Sequence, residues 1–535
     1  MRMSLKQIRD CTGAEVIVAP LDLRSLATGI SWDSRMVKPG DVYLALPGEH
    51  VDGHSFVTDA LSNGAVCVLV MQTLSRDTLL VAREMGAAVF EVADTAHALV
   101  DMADFWRTQL RGRVIALTGS AGKTTTKNLI RDVVASTYKT VATQGNQNNE
   151  LGVPNTILAS DTETEVIVVE MGMRGLGQIS SLCSYVRPDW GVITNIGESH
   201  LELLGSRENI ARAKSELLLH LPEGRGRAFL NGADDFTQTI IADTHLATRR
   251  IETVIFTGQD EREVDGSAAA GQPSSEAEAV DPTYTHVWAS DITLDDQGRP
   301  QFILHCQGFF PPGNPFDVDA QATIEQSYNE GDALTRDEAS YVQAEFLEET
   351  AQVHLALRGV HNVANACAAA AVGRSLGIPL ATCAEALEHS LPEAGRMEFL
   401  KARGGYQLIH DAYNANPESM IAALTLLDSL KVPGRRVAVL GDMGELGTYE
   451  EACHVGVGAA AATKALDRLI CVGTRAAWIA QGAKDAGMDP DKIIETQELS
   501  VVLGDLDTYL EPGDAVLVKA SHFMGLERVV EGLVR

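Results

Sequence analysis

The sequence predicts an α/β protein of three domains, and three observations support this prediction. The chain has 535 residues, which is more than a single hydrophobic core can organise. Short, fully apolar runs alternate with amphipathic helical patterns, which indicates parallel sheets covered by helices on both faces. Several of these runs end in a glycine or a carboxylate, at the edge where parallel sheets place their ligands.

The first predicted domain covers residues 1–110. Its apolar runs are short and are interrupted by the turn signals Pro39-Gly40 and Pro47-Gly48. It ends in a helical pattern from Ala96 to Leu110, which is suited to linking domains. We therefore expect a small α/β domain at the amino terminus.

The central domain, residues 111–391, contains strands that are each followed by a turn whose residues could belong to a functional site. These strands are Val114–Leu117, Val166–Val169 and Val192–Thr194. The third domain, residues 392–535, is predicted to be Rossmann-like, and its strands are Val437–Leu440, Leu469–Val472 and Ala515–Val518.

The net negative charge of the chain argues against nucleic acid as a partner, and much of this charge lies in one segment. The chain carries 73 acidic and 43 basic residues, so we expect no nucleic acid as a partner, because phosphate backbones require a basic face. Residues 260–350 contain 20 Asp or Glu, three Arg and no Lys. We interpret this stretch as an inserted, solvated segment that includes a mobile loop, and its composition does not indicate a role.

The sequence gives little indication of a targeting segment, a membrane span or a cysteine-based site. No charged-then-apolar leader opens the sequence, and runs such as Ala65–Met71 are far shorter than the roughly 20 residues of a membrane span. We therefore predict a cytoplasmic protein.

The eight cysteines include no C-x-x-C pair, which argues against a zinc cluster or a disulfide framework.

A phosphate-binding turn is the strongest motif. It follows the strand Val114–Leu117 and consists of Gly119, Ser120, Ala121, Gly122, Lys123, Thr124 and Thr125. Glycines let backbone N–H groups point at one anion, Lys123 adds positive charge, and a threonine hydroxyl can reach Mg²⁺. The common P-loop has a glycine where Leu117 stands, so a structural turn is the alternative.

Two further side chains follow apolar strands. Glu170 comes directly after Val166–Val169 and is placed to hold Mg²⁺ or its water, the alternative being a helix-capping or solvated glutamate. His200 lies just past the strand Val192–Thr194 and could ligate a second magnesium ion. A lone histidine is as often an ordinary surface or core residue.

Lys214 lies in a predicted helix that Ser206 caps. The buried stripe of this helix contains Ile210, Ala213 and Leu217. Composition alone predicts that Lys214 is a solvated surface lysine.

Together these strings resemble the Mur ligases, the ATP-dependent amino-acid ligases of peptidoglycan synthesis, over nearly the whole chain. The turn alone would also fit folylpolyglutamate synthetases. Within the Mur ligases the chain is similar to the type that adds D-alanyl-D-alanine, because of the strings Asp411–Pro417 and Gly441–Gly447. The other shared strings are Gly145–Pro154, Glu170–Gly172, Thr194–His200, Lys214 and Gly359–Asn365.

The resemblance implies a reaction. The terminal carboxylate of UDP-N-acetylmuramoyl-tripeptide attacks the γ-phosphate of ATP and gives an acyl phosphate and ADP. The amine of D-alanyl-D-alanine then attacks the acyl phosphate, and phosphate leaves. ATP and Mg²⁺ are the implied cofactors, and a monomer is the implied state.

The resemblance also implies roles near the phosphates. Lys123 and the turn amides stabilise the transferring phosphoryl group, and Thr124 and Glu170 hold one Mg²⁺. His200 and a carbamylated Lys214 hold the second. Whether Lys214 is carbamylated cannot be read from the sequence.

Other implied contacts are spread along the chain. Asn362 contacts adenine, the alternative being that it caps a helix over Val363–Val372. The remaining expected contacts are Arg396 and Asp411 with phosphate and ribose, Ser34 and Arg35 with uridine diphosphate, and Asn414 and Asn416 with substrate. Without the resemblance, Asp33-Ser34-Arg35 would be a turn with a surface arginine.

One departure and two alternatives accompany this prediction. The family has Lys-Gly-Ser-Arg near its carboxyl end, whereas this chain has Lys519-Ala520-Ser521-His522, so a second-substrate contact is lost or changed. The alternatives are a ligase of the type that adds a diamino acid and a non-catalytic nucleotide-binding partner. The sequence leaves open whether the tripeptide ends in lysine or diaminopimelate.

Overall fold

The structure is a computed structural model that describes residues 1–48, 51–259, 285–310 and 345–534. The chain divides into two compact units. The first consists of Met1–Ala116, Tyr138–Gly172 and Ile179–Trp190, and the second of Leu117–Thr137, Met173–Gln178 and Gly191–Arg535. Among the described residues, no helix combines the length and the apolar composition needed to cross a membrane.

The amino-terminal part of the first unit is an α/β sheet domain. Its strands are β1 (Met3–Ser4), β2 (Glu15–Val18), β3 (Leu26–Ala27), β4 (Gly29–Ser31), β5 (Asp41–Leu44), β6 (Cys67–Val70) and β7 (Ala88–Glu91), and its helices are α1 (Leu5–Thr12), α2 (Val57–Ser62), α3 (Arg76–Glu84) and α4 (Thr95–Arg107). The main sheet has the order β2-β7-β6-β5-β4, with only β2 antiparallel to its neighbour. The predicted last helix is α4, and Asp94 caps it by accepting from the N–H groups of Ala96 and His97.

The middle of the chain forms the next set of elements. Its strands are β8 (Arg113–Thr118), β9 (Thr140–Ala142), β10 (Val166–Glu170), β11 (Trp190–Ile193), β12 (Arg227–Asn231), β13 (Glu252–Phe256), β14 (Thr285–Leu294), β15 (Pro300–Phe310) and β16 (Glu345–His354). Its helices are α5 (Lys123–Ala135), α6 (Gly152–Ala159), α7 (Gln178–Val186), α8 (Leu201–Leu204), α9 (Arg207–Leu219), α10 (Thr237–Asp243), α11 (His361–Ser375) and α12 (Leu380–His389). The three predicted strands are confirmed as β8, β10 and β11.

The strands in the middle of the chain belong to both units. In the first unit the order is β8-β10-β9, with β9 and β10 parallel. In the second unit the order is β16-β15-β14-β13-β12-β11, in which β12, β13 and β14 run parallel. Strands β8 and β10 are buried almost throughout, as expected of apolar strands in a parallel sheet.

The described parts of the acidic stretch 260–350 differ from the expectation of a solvated segment. Residues 285–310 form β14 and β15, and residues from 345 onward form β16, which together make an antiparallel extension of the sheet. Buried and partly exposed residues alternate from Thr285 to Ser290, so Val287 and Ala289 face inward while His286 and Ser290 are partly exposed. The segment's net charge could not reveal this alternation. The rest of the predicted loop, including Pro311–Gly313, lies outside the described residues.

The carboxyl-terminal part is the predicted Rossmann-like sheet. Its strands are β17 (Glu398–Lys401), β18 (Gln407–Asp411), β19 (Arg436–Gly441), β20 (Arg468–Val472), β21 (Ile493–Thr496) and β22 (Ala515–Lys519), and its helices are α13 (Pro417–Ser429), α14 (Glu450–Ala462), α15 (Ala476–Asp485), α16 (Leu499–Tyr509) and α17 (Glu527–Val534). The order is β17-β18-β22-β19-β20-β21, parallel except for β17. Alternate residues of β19 enter two hydrophobic cores, Ala438 and Leu440 on one face and Val437 and Val439 on the other.

Short 3₁₀ helices complete the described elements. They cover Ser34–Met36, Gly53–Phe56, Gly447–Tyr449, Pro490–Lys492 and His522–Met524.

Candidate active site

The predicted phosphate-binding turn joins β8 to α5. Gly122 has φ 74°, and a Cβ there would lie 2.9 Å from Asn365 Oδ1. A Cβ on Gly119 would lie 1.8 Å from Thr194 Oγ1, so both positions require glycine. Gly122 is the N-cap of α5, and no side chain of the described residues makes a cap hydrogen bond there. A helix amino terminus of this kind is suited to binding an anion.

The string from Thr194 to Gly197 forms one wall of this turn. The N–H groups of Ser120 and Ala121 both donate to Asn195 Oδ1, at 3.0 and 2.8 Å. Thr194 Oγ1 donates to the carbonyl of Ala121 at 2.7 Å, and the Gly197 N–H donates to Ser120 Oγ at 2.8 Å. Sequence reasoning assigned no role to Asn195, although its place directly after an apolar strand was a usable signal.

Lys123 is folded back over the turn. Its Nζ donates to the carbonyl oxygens of Gly119 at 2.7 Å and Ser120 at 3.3 Å. Thr124, the next residue, is buried, and Thr125 is half-buried. The positive charge of Lys123 therefore lies at the turn itself, where a bound phosphate would meet it.

Asn362 is connected to the phosphate-binding helix through Asn365. Asn365 donates to Asn362 Oδ1 at 2.9 Å and accepts from Thr126 Oγ1 at 3.0 Å. Asn362 donates to the carbonyl of Arg358 at 2.7 Å. The alternative that Asn362 caps its helix is wrong, because α11 begins at His361 and its N-cap is Val360.

Glu170 ends β10 in the first unit. Its side chain is buried, and Asn148 Nδ2 donates to Oε1 at 2.8 Å. The Glu170 N–H donates to Thr143 Oγ1 at 3.0 Å. A Cβ on Gly172 would lie 2.9 Å from Asn148 Oδ1, so the glycine keeps the backbone close to this amide. A solvated glutamate, one of the two alternatives, is therefore wrong.

His200 lies opposite a carboxylate from the carboxyl-terminal sheet. His200 Nδ1 is 2.6 Å from Glu445 Oε2, and Arg174 Nε is 3.5 Å from the other oxygen of Glu445. The close approach of His200 is the main cause that lowers the pKa of Glu445. Sequence reasoning listed the string that contains Glu445 but gave this residue no role.

Lys214 is a buried residue, so the prediction of a solvated lysine is wrong. It lies in α9, which Ser206 caps as predicted by accepting from the Asn209 N–H. Only 1% of Lys214 is exposed. Burial, and next the nearby positive charge of Lys123, hold the pKa of Lys214 well below its usual range, while Glu418 opposes them.

The first turn of α13 lies beside the same wall. A Cβ on Gly197 would lie 2.0 Å from Glu418 Oε1, so the glycine makes room for this carboxylate. Burial, and next the Glu198 carboxylate, raise the pKa of Glu418. Asn416, the N-cap of α13, accepts from the Ser419 N–H at 2.8 Å and donates to Ser199 Oγ at 2.8 Å. Glu418 was not predicted, and only the tertiary structure reveals it.

Asp411 and Asn414 are already engaged within the protein. Lys519 Nζ donates to Asp411 Oδ2 at 2.6 Å and to the Asn414 carbonyl at 2.9 Å. The other carboxylate oxygen of Asp411 accepts from the Met397 N–H at 3.1 Å. Asp411 and Lys519 are both buried, so this pair fixes the end of β18 against the end of β22.

Arg396 and His522 share one aromatic partner. The guanidinium of Arg396 lies 4.1 Å from the centre of the Tyr413 ring, a cation–π distance. The His522 ring stacks on Tyr413 with centroids 5.8 Å apart. The residue that departs from the family pattern is thus packed beside a predicted nucleotide contact.

Ser34 and Arg35 form a local turn in the first unit. Asp33 caps the turn, and its carboxylate accepts from the Arg35 guanidinium at 2.9 and 2.7 Å. The Arg35 side chain is 85% exposed. Ser34 is buried, and its carbonyl accepts from Asn63 Nδ2 at 2.9 Å. The geometry is that of a turn with a surface arginine.

The β8–turn–α5 geometry defines a P-loop type nucleotide-binding protein, and family models identify its relatives. Residues 27–107 match the model described as "Mur ligase family, catalytic domain". Residues 117–285 match "Mur ligase middle domain", and residues 395–522 match "Mur ligase, glutamate ligase domain".

Several relatives similar over nearly their whole length carry the name UDP-N-acetylmuramoyl-tripeptide--D-alanyl-D-alanine ligase. The relative from Bacillus subtilis is 33% identical and aligns over 95% of this chain and 93% of its own. The relative from Escherichia coli is 30% identical over 99% and 98%. The chain therefore belongs to the Mur ligase family.

Solved structures agree with this membership. The crystal structure of MurF from Acinetobacter baumannii is 28% identical, with a TM-score of 0.75 over 100% of this chain and 99% of that one. The MurF ligase of Thermotoga maritima, solved in complex with ADP, is 25% identical, with a TM-score of 0.67 over 95% and 97%.

Proposed function

We propose that this chain is an ADP-forming ligase that joins D-alanyl-D-alanine to UDP-N-acetylmuramoyl-tripeptide at the expense of ATP. One observation carries the proposal. Relatives with that name align over at least nine tenths of this chain and of their own, as in the two pairs above. The phosphate-binding turn at Lys123 supports the use of ATP. The product is the pentapeptide precursor of peptidoglycan, so the protein serves cell-wall synthesis.

The reaction proceeds in two steps. A carboxylate oxygen of the tripeptide attacks the γ-phosphorus of ATP, the bond to the bridging oxygen breaks, and ADP leaves. The amine of D-alanyl-D-alanine then attacks the acyl carbon, loses a proton, and displaces inorganic phosphate. Activation is needed because a free carboxylate is a poor electrophile, whereas phosphate is a good leaving group. The protein supplies alignment and charge stabilisation.

The residues at the turn have distinct tasks in this reaction. Lys123 stabilises the charge on the transferring phosphoryl group, and the backbone amides at the start of α5 bind the phosphate oxygens. Asn195 fixes the turn by accepting from two of its N–H groups. This support keeps the donors in place before the substrate arrives.

Magnesium fits the donors that the chain offers, although no group of three or more His, Cys, Asp or Glu side chains that could hold a metal occurs among the described residues. The Thr124 hydroxyl and the buried Glu170 carboxylate provide oxygen atoms, which this ion prefers. His200 and a carbamylated Lys214 would hold a second ion. When bound, magnesium neutralises charge on the phosphates during transfer.

Buried Lys214 is suited to carbamylation. A neutral amine attacks carbon dioxide, and the lowered pKa of Lys214 favours the neutral form. Carbon-13 NMR with labelled bicarbonate tests this assignment. We expect a carbamate signal that is absent from Lys214→Met, and a spectrum without that signal in the native protein would contradict it.

The remaining contacts follow the three predicted domains. Residues 1–110 bind the uridine diphosphate through Ser34 and Arg35, residues 111–391 bind ATP, and residues 392–535 supply the substrate contacts Asn414 and Asn416. Asn362 contacts adenine, and Arg396 and Asp411 reach phosphate and ribose. We place the protein in the cytoplasm as a monomer.

A donor and acceptor assay tests the function. The protein is incubated with ATP, magnesium and each pair of UDP-linked acceptor and amino-acid or dipeptide donor, and phosphate release is measured. We expect turnover with the tripeptide and D-alanyl-D-alanine. Turnover with a single diamino acid would identify the other ligase type, and binding of ATP without turnover on any pair would identify a non-catalytic protein.

A further inference from the structure

The loop before α11 holds Asn362, the expected adenine contact. Arg358 comes four residues before Asn362, and its carbonyl accepts from Asn362 Nδ2 at 2.7 Å. The backbone N–H of Asn362 donates to the carbonyl of Gly359 at 3.1 Å. The position of the Asn362 amide therefore depends on where the backbone of Arg358 and Gly359 lies.

The side chain of Asn362 keeps hydrogen-bonding capacity for a ligand, although it is buried. Its Oδ1 accepts from Asn365 Nδ2 at 2.9 Å, and its Nδ2 donates to the Arg358 carbonyl. A carboxamide can donate two hydrogen bonds and accept two. Within the described part of the chain, one N–H and one oxygen lone pair of this amide thus have no partner. A donor beside an acceptor is the pattern with which asparagine recognises adenine.

The side chain of Arg358 is held by the carboxyl-terminal sheet. Its guanidinium carbon Cζ lies 3.4 Å from the centre of the Phe399 ring on β17, a cation–π distance. Its Nε has no hydrogen-bond partner among the described residues, and burial is the main cause that lowers the pKa of Arg358. The aromatic ring therefore faces a partly desolvated charge, and a cation–π contact is strongest where water is excluded.

The turn between β14 and β15 supports the same loop. Arg358 Nη2 donates to Gln297 Oε1 at 3.1 Å, and the Gly359 N–H donates to the Gly298 carbonyl at 2.9 Å. Gly298 has φ 74°, and a Cβ there would lie 2.7 Å from Leu426 Cδ1 of α13. The turn, which lies in the acidic stretch, thus contacts both the loop before α11 and a helix of the carboxyl-terminal sheet.

We propose that Arg358 is a positioning residue that sets the Asn362 amide for adenine and ties it to β17 and to the β14–β15 turn. The inference rests on the proposed function, which makes Asn362 the adenine contact, and it adds a residue to which that function gives no role. Without these anchors the loop occupies its binding position for a smaller fraction of the time, and apparent affinity falls with that fraction. The loss concerns the base, because the phosphates bind at the Lys123 turn.

Base selectivity tests this role without turnover. Dissociation constants of ADP and inosine diphosphate are measured by isothermal titration calorimetry with the full-length protein and magnesium. Inosine diphosphate has the same ribose and phosphates but carries an oxygen in place of the adenine amino group. We expect Arg358→Met, which keeps an unbranched side chain, to weaken ADP binding about 3- to 10-fold and to leave the affinity for inosine diphosphate within about 2-fold of native.

Two further variants test the anchor on β17. Arg358→Lys keeps a positive charge for the Phe399 ring, so its loss of ADP affinity should be smaller than that of Arg358→Met. Phe399→Leu removes the aromatic face but keeps an apolar side chain, and it should lower the preference for ADP in the same direction. Arg528→Met, at an exposed arginine on α17, is the matched control and should bind both nucleotides like the native protein. Thermal melting checks that each variant is folded.

A double-variant cycle tests whether Arg358 acts through Asn362. If it does, Arg358→Met/Asn362→Ala prefers ADP no less than Asn362→Ala does. Three results would overturn the proposal: native ADP affinity in Arg358→Met, equal losses for the two nucleotides in that variant, or a native preference for ADP in Asn362→Ala. Phosphate release by the native protein is measured in parallel. Its absence would refute the ligase function and leave the nucleotide cycle to decide the role of Arg358.

Discussion

The phosphate-binding turn and the Asp33–Arg35 turn are held in different ways. At the first, the N–H groups of Ser120 and Ala121 are bound by Asn195, more than seventy residues away. At the second, Arg35 is held by its neighbour Asp33 and is 85% exposed. A turn fixed by distant residues loses its geometry when one of them changes, whereas a local turn on the surface depends on little else. Substitutions at the two turns should therefore differ sharply in effect.

The largest expected effect is at Lys123. Lys123→Ala removes the positive charge at the turn, and we expect phosphate release to fall by on the order of 10³-fold or more. The assay uses ATP, the tripeptide acceptor and D-alanyl-D-alanine. Lys139→Ala, at a surface lysine paired with Asp161, is the control and should retain activity. A loss below 10-fold for Lys123→Ala would contradict the assignment of this turn.

Lys214→Met should lower activity and raise stability. We expect a rate loss on the order of 10²-fold, because a proposed magnesium ligand is removed. The pKa of Lys214 is lower in the folded protein than in the unfolded chain, so the unfolded state binds more protons between the two pKa values. Native stability therefore rises with pH through that window.

Melting curves in bicarbonate-free buffer measure this difference. Lys214→Met should melt about 2 °C or more above the native protein near pH 8, with a gap that shrinks as the pH approaches the ordinary lysine pKa. Lys401→Met, at an exposed lysine, is the matched control. A gap that stays constant or widens with pH would argue against a buried neutral amine.

Asn195→Ala tests the support of the turn. It leaves the Ser120 and Ala121 N–H groups without their shared acceptor, so we expect a loss in kcat/KM for ATP of about 10-fold, with a melting temperature lowered by a few degrees. Steady-state kinetics and thermal melting measure the two effects. Native kinetics in this variant would mean that the turn keeps its shape without Asn195.

The smallest effect is expected at the local turn. Arg35→Ala should raise the KM for the UDP-linked acceptor by about 2- to 5-fold, because an exposed charge contributes little. The melting temperature should stay unchanged within about 1 °C, since surface substitutions rarely alter stability. A large fall in kcat would show that this turn does more than bind substrate, and it would weaken the contrast between the two turns.

Much of the architecture was predictable because local patterns carry it. The apolar strands β8, β10 and β11 and the helix cap at Ser206 follow from residues close together in the sequence. For residues 285–310 the expectation of a solvated segment was wrong, because net charge hides the alternation that makes β14 a strand. The prediction that Lys214 is solvated was wrong, because the position of a residue in a helix does not reveal which residues pack over its side chain.

The sequence by itself determined the strands β8, β10 and β11, the glycines of the phosphate-binding turn and the family to which the chain belongs. Each of these depends on residue type and short-range spacing. The tertiary structure alone decided that Asn195 supports the turn, that Glu445 faces His200 and that Asp411 pairs with Lys519. These contacts join residues tens to hundreds of positions apart, and only the packing of separate elements sets their distances.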